Sequence, residues 1–162
     1  MCIRDRKNNQ LVVHVDFAEN YTCKYAIEIQ VIHFGGNRAQ VSLHTGVFYL
    51  GNVIQSFSTI SPDLAHNPIS IFKHLEPFFQ NVEQCAKMKE VYFQSDPPAT
   101  QYRCQKMFWI MIKKIIPQFP NIEHFSWIYL EPSHRKGPAD GVGATCKSTC
   151  NTHVGRDVKP KL

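Results

Sequence analysis

The chain has 162 residues, a net charge of +5 and 43% apolar residues, among them 11 Phe, 6 Tyr and 2 Trp. That is long enough for one domain with a real core, too short for two, and too apolar and aromatic for a disordered protein. No apolar stretch reaches the roughly 18–20 residues of a membrane span, and the first ten residues carry no secretory signal, so a nuclear or other intracellular location is expected.

Residues 1–10 lack periodicity and read as a disordered or artefactual segment outside the fold, from which a fragment with an upstream part missing is expected. Leu11–Phe17 is nearly all apolar, as a central strand buried on both faces should be. Tyr21–Ala39, with Gly35-Gly36, fits neither a helix nor a strand template and is read as an insertion after that first strand. Gln40–Leu50 and Val53–Ile60 flank Gly51-Asn52 and predict a hairpin, which Ser61-Pro62-Asp63 stops. Asn67-Pro68 opens a helix over 68–85 with Ile69, Phe72, Leu75, Phe79 and Val82 on its apolar face. Pro77 predicts a kink or break in it.

Val91–Ser95 is the next strand. A helix over Ala99–Ile116 then places Cys104, Phe108, Met111, Ile112 and Ile115 on one face; Phe108 and Trp109 are read as core rather than as base-stacking platforms. Pro117 to Pro120 ends it. His124–Leu130 is a strand, Asp140–His153 a helix weakened by Gly141 and Gly143, and 154–162 a tail. One domain over 11–153 follows: mixed α/β, a mixed sheet flanked by helices.

Six cysteines at irregular spacing argue against a disulfide framework. Cys146, Cys150 and His153 lie close in sequence, but no further pair completes a zinc set. Charge is uneven: residues 1–102 hold 8 Lys/Arg against 9 Asp/Glu, and residues 103–162 hold 10 against 4. The basic C-terminal half is compatible with a polyanionic partner such as DNA.

Three aspartates follow apolar runs. Asp16 closes Leu11–Val15, Asp96 closes Val91–Ser95, and Asp140 follows the run from Phe125 to Leu130. A carboxylate at the end of a buried strand is poorly solvated unless it finds donors or a cation.

The element order, with these acids, resembles the ribonuclease-H-like superfamily of RNase H, retroviral integrases and DDE/DDD transposases. More narrowly, Val15-Asp16-Phe17-Ala18-Glu19-Asn20-Tyr21, Leu43-His44-Thr45-Gly46, Ser95-Asp96-Pro97-Pro98-Ala99-Thr100-Gln101-Tyr102, and Ser133-His134-Arg135-Lys136-Gly137 with Asp140-Gly141-Val142-Gly143 resemble transposon-derived animal proteins. The resemblance implies a five-stranded mixed sheet with the first and fourth strands side by side, so that Asp16 and Asp96 are neighbours. It also implies metal-dependent cleavage or strand transfer on DNA, with two Mg²⁺ (or Mn²⁺) ions roughly 4 Å apart. Asp16 would bridge them, Asp96 would hold one and Asp140 the other; oligomers occur with such a function.

Glu131 is the alternative third acid, at a spacing close to that of Asp-Asp-Glu transposases, although Pro132 fixes it in an extended stretch. A bland role for Asp140 is to cap its helix. His134 could move a proton near neutral pH. Glu19 could support the site, and Arg103, Lys106, Arg135, Lys136 and Lys147 could meet phosphates. Pro97 and Arg135 stand where the resembled group has Gly, stiffening or crowding the loops beside the acids. That motivates a second reading, a domesticated, non-catalytic module that binds DNA or protein. A Cys/His hydrolase lacks a recognisable nucleophile turn.

Overall fold

Along the first strand, β1 (Gln10–Thr22), side chains alternate between two covered faces, which is why its sequence reads as a continuous apolar run. The computed structural model describes residues 9–24, 38–81, 87–96, 101–130 and 137–154. After β1 come β2 (Gln40–Leu50), β3 (Val53–Ser61), α1 (Pro68–Asn81), β4 (Glu90–Ser95), α2 (Gln105–Ile110), β5 (His124–Tyr129) and α3 (Pro138–Val154). The strands form one sheet in the order β3-β2-β1-β4-β5. β1 to β3 pair antiparallel, whereas β4 runs parallel to β1 and β5 parallel to β4. The protein is therefore mixed α/β, a five-stranded mixed sheet flanked by helices, with the first and fourth strands adjacent.

Leu11, Val13, Val15 and Phe17 face the main core, against Ile71, Leu75, Phe78 and Phe79 of α1 and Met107 and Ile110 of α2. Each such fully buried side chain contributes roughly 1.5–3 kcal/mol. Val12, Val47 and Tyr49 face the other way and meet Val142 of α3. Gly51 leads the β2–β3 turn with a φ of 51°, the glycine-first form of a two-residue hairpin. Asn67 caps α1: its Oδ1 accepts the Ile69 and Ser70 N–H groups at 2.9 and 3.1 Å.

Several expectations are corrected. β1 does not stop at Phe17 but runs to Thr22, slipping register between Ala18 and Tyr21; the bulge lets pairing continue past the apolar run. Asp16 is thus a mid-strand residue. The insertion read over Tyr21–Ala39 lies largely in residues 25–37, outside the described residues. α1 continues through Pro77, and its buried face is Ile71, Leu75, Phe78 and Phe79 rather than one containing Ile69, which is 49% exposed. Two sets of three- and four-residue steps overlap in that sequence, and His74, hydrogen-bonded at the sheet, selects the second.

α2 begins at Gln105 and widens into a π turn, Met111–Ile115, before a 3-10 turn, Ile116–Gln118. The helical phase expected from the sequence therefore fails. Met107, Ile110, Met111 and Ile115 are buried, while Phe108, Trp109 and Ile112 are 47%, 56% and 61% exposed, so Phe108 and Trp109 are not core. Among the described residues, no helix is long and apolar enough to cross a membrane.

Candidate functional site

Asp16 lies on the α3 face of β1, between His14 and Ala18 two residues either side. Its neighbour on β2 is Thr45. The Thr45 hydroxyl donates to the Ala139 carbonyl at 2.9 Å and lies 3.4 Å from the Asp16 carbonyl, tying the first turn of α3 to β1. One turn later, Gly143 presses on the sheet: a Cβ there would sit 3.1 Å from Ala18 Cβ. A larger residue would lift the helix, so the glycine that lowers helix propensity is what lets α3 reach Asp16.

Asp140, the third residue of α3, accepts the Gly137 N–H through Oδ2 at 2.6 Å. This is the back-reaching half of a capping box: the N-cap is Gly137 and not Asp140, which instead supports the cap from inside the first turn. That role does not exhaust the residue, because the charge of Asp140 also acts on the Asp16 carboxyl. Asp96 follows β4. His14 pairs with Gln94 across the parallel strands, the last pair of that register, and Asp16 and Asp96 each follow two residues later. Asp96 is exposed, and its peptide is held by Ser95, whose hydroxyl donates to the Asp96 carbonyl (3.1 Å) and accepts Trp127 Nε1–H (2.9 Å).

The charges of the other two acids act on Asp16. Burial, then the negative charges of Asp140 and Asp96, push the Asp16 carboxyl from 3.8 up to about 7, against one backbone N–H, that of Phe17, which favours its ionised form. A carboxyl so placed binds a proton near neutral pH or trades it for a cation. The α3 N-terminus adds a partial positive charge.

His14 is a site residue that the sequence reading passed over. It is buried on the same face as Asp16, and a Cβ at Gly137 would fall 2.3 Å from its Cε1. Burial lowers its pKa, while Asp96 and Asp140 pull the other way. A polar residue in an otherwise apolar strand, two positions before an acid, was the available signal.

Behind the acids Tyr102 is fully buried, and burial, then Asp16 and Asp96, raise its pKa well above the ordinary value. Its hydroxyl pairs with His44 Nε2 at 3.0 Å. Of the other expected residues, Glu19, Arg103 and Lys106 are exposed and Lys147 is half-buried. Glu131, His134, Arg135 and Lys136 lie outside the described residues, as does Pro97.

The donor set fits a divalent cation by charge, since Asp16 and Asp140 set two carboxyls near each other and, among the described residues, no lysine or arginine pairs with either. Among the described residues, no group of three His, Cys, Asp or Glu side chains is gathered to hold a metal ion. Asp96 would have to swing in from its exposed position to join the pair.

A mixed sheet with an acid cluster between two parallel strands and a helix N-terminus defines an α/β domain with a candidate cation site. The chain belongs to the family described as domain of unknown function (DUF8701), which matches residues 2–161. No curated protein matches it.

Proposed function

We propose that this is a ribonuclease-H-like, transposase-derived domain whose Asp16, Asp140 and Asp96 bind Mg²⁺ or Mn²⁺ for phosphodiester cleavage or strand transfer on DNA. The observation that carries the reading is that the charges of Asp140 and Asp96, from distant parts of the sequence, both act on Asp16, just past the paired stretch of the parallel strands β1 and β4. A five-stranded mixed sheet with the first and fourth strands adjacent, which the resemblance implies, supports it. Bound cations would supply charge stabilisation and an activated water. Asp16 would be shared between ions, with Asp140 and Asp96 holding one each. His14 is placed to accept or return a proton beside them. Exposed Lys106, Lys113 and Lys114, on the same segment as exposed Phe108 and Trp109, support DNA as the partner.

Titration with Mn²⁺ and incubation with DNA in Mg²⁺ test the proposal. Binding and cleavage are expected in the wild type and neither in Asp16→Asn; cleavage that survives that change would overturn it. The exposed position of Asp96 favours a second reading, a non-catalytic binding module. DNA binding without Mn²⁺ binding would select that one.

A further inference from the structure

β3 is an edge of the sheet, and among the described residues no strand pairs with its outer side. Natural proteins blunt such edges with lysines, prolines, bulges or short strands. β3 has none of these. It reads Val-Ile-Gln-Ser-Phe-Ser-Thr-Ile-Ser over nine residues, without charge or proline, and its register against β2 is unbroken from Leu50↔Val53 to Ser42↔Ser61. An uncharged, β-prone strand of this length is a template for another strand. The opposite edge, β5, has six residues, and the Glu123 carboxylate just before it pairs with Lys89.

The hairpin fixes which groups of β3 face outward. With a two-residue turn, Leu50 and Val53 form its closing hydrogen-bonded pair, so odd-numbered residues of β3 turn their N–H and C=O to β2. Ile54, Ser56, Ser58 and Ile60 turn theirs away from the sheet. An antiparallel copy of the same strand centred on Phe57 then matches itself: Ile54 stands opposite Ile60 twice, and Ser56 opposite Ser58 twice. These are the same four residues whose backbone groups point outward, without a strand partner among the described residues, giving about eight hydrogen bonds across the pair. Ile54 and Ile60, 63% and 65% exposed in the isolated chain, would cover each other. No charge is buried or opposed. A two-fold contact of this kind closes on itself and stops at two.

We propose that β3 pairs antiparallel with β3 of a second copy of this chain about Phe57, making one ten-stranded sheet across a homodimer. The self-matching of side chains and outward backbone groups is what favours a second copy over an unrelated strand.

Sedimentation of the full chain is expected to show twice the 18.7 kDa protomer mass. Ile54→Lys combined with Ile60→Lys should return the single mass with an unchanged circular dichroism spectrum, since both side chains already face solvent in the protomer. A Ser56→Cys/Ser58→Cys double variant should cross-link on oxidation, because facing residues in such a pair lie about 5.5 Å apart at Cα, within disulfide reach. Either single variant should behave as the wild type. A monomeric wild type, a dimer that survives the two lysines, or a double-cysteine variant that cross-links no more than the wild type would overturn the proposal.

Discussion

Two polar clusters lie back to back across β1 and β2, and they solve opposite problems. On the α1 face, His44, His74 and Tyr102 are buried and arranged as neutral partners. His44 meets Tyr102, and His74 bonds Thr59 at 2.9 Å and Ser42 at 3.3 Å. The His44 and His74 rings stack at 5.4 Å, while Phe17 stacks on His66 at 4.2 Å. Burial, with the neighbouring histidines, drives His44 down to about 3, so it stays uncharged; its Nδ1 alone is left without a partner. On the α3 face, Asp16 and Asp140 instead repel each other in a half-buried setting. The first cluster balances internally and reads as architecture. The second, among the described residues, leaves charge unbalanced, and an imbalance held at a strand is what a cation or proton would relieve.

The largest effect that tests this contrast is on activity. Asp16→Asn should lower Mg²⁺-dependent DNA cleavage about 10³-fold or more, the equivalent of several kcal/mol at 1.36 kcal/mol per decade. Thermal melting at pH 8 should show no loss of stability, because the substitution removes repulsion. If instead the chain unfolds, the acid cluster is architectural too, and the contrast collapses.

Tyr102→Phe should do the reverse. Removing the hydroxyl leaves His44 with neither ring nitrogen paired and should cost about 1–3 kcal/mol in denaturant titration. Mn²⁺ affinity should hardly move; a large loss would join the two clusters into one functional unit.

Gly137→Ala should cost about 1–3 kcal/mol as the ring of His14 is forced aside, again read by denaturant titration. It should also weaken Mn²⁺ binding if His14 and Asp140 belong to one site.

The smallest effect is the pH dependence, and it differs in sign between the clusters. Asp16 is raised from 3.8 to about 7 on folding, so between those values the folded chain holds a proton that the unfolded chain has released. Its contribution is fully present below about 3.8 and is lost as pH rises through 7. His44, His66, His74 and His14 are lowered from 6.5, each chiefly by burial. Their contribution is present above 6.5 and is lost as pH falls. The difference in melting temperature between wild type and Asp16→Asn isolates the acid: the wild type should lose ground to the variant from pH 5 to pH 8. Mn²⁺ should restore it at pH 8. A flat difference would remove Asp16 from the titrating set.

Much of this was legible beforehand. The hairpin boundaries at Leu50 and Val53 followed from Gly51-Asn52, and Asn67-Pro68 marked the start of α1, because capping and turn chemistry act within a few residues. Asp140 was legible as an acid in the first turn of a helix. Helix faces were not: the π turn at Met111–Ile115 changes the angular step, so a pattern assuming 3.6 residues per turn exposed the wrong side of α2. His14 was passed over because an isolated histidine in an apolar strand resembles any buried residue until its neighbours are known.

By itself, the sequence determined the periodicities, the turns and the presence of acids after apolar runs, all properties of short range along the chain. Only the tertiary structure decided that Gly143 lets α3 approach the sheet closely enough for the charge of Asp140 to act on Asp16, and that β3 is left as an uncharged edge. Those outcomes depend on which surfaces pack together, and packing joins residues whose separation along the chain carries no local signal.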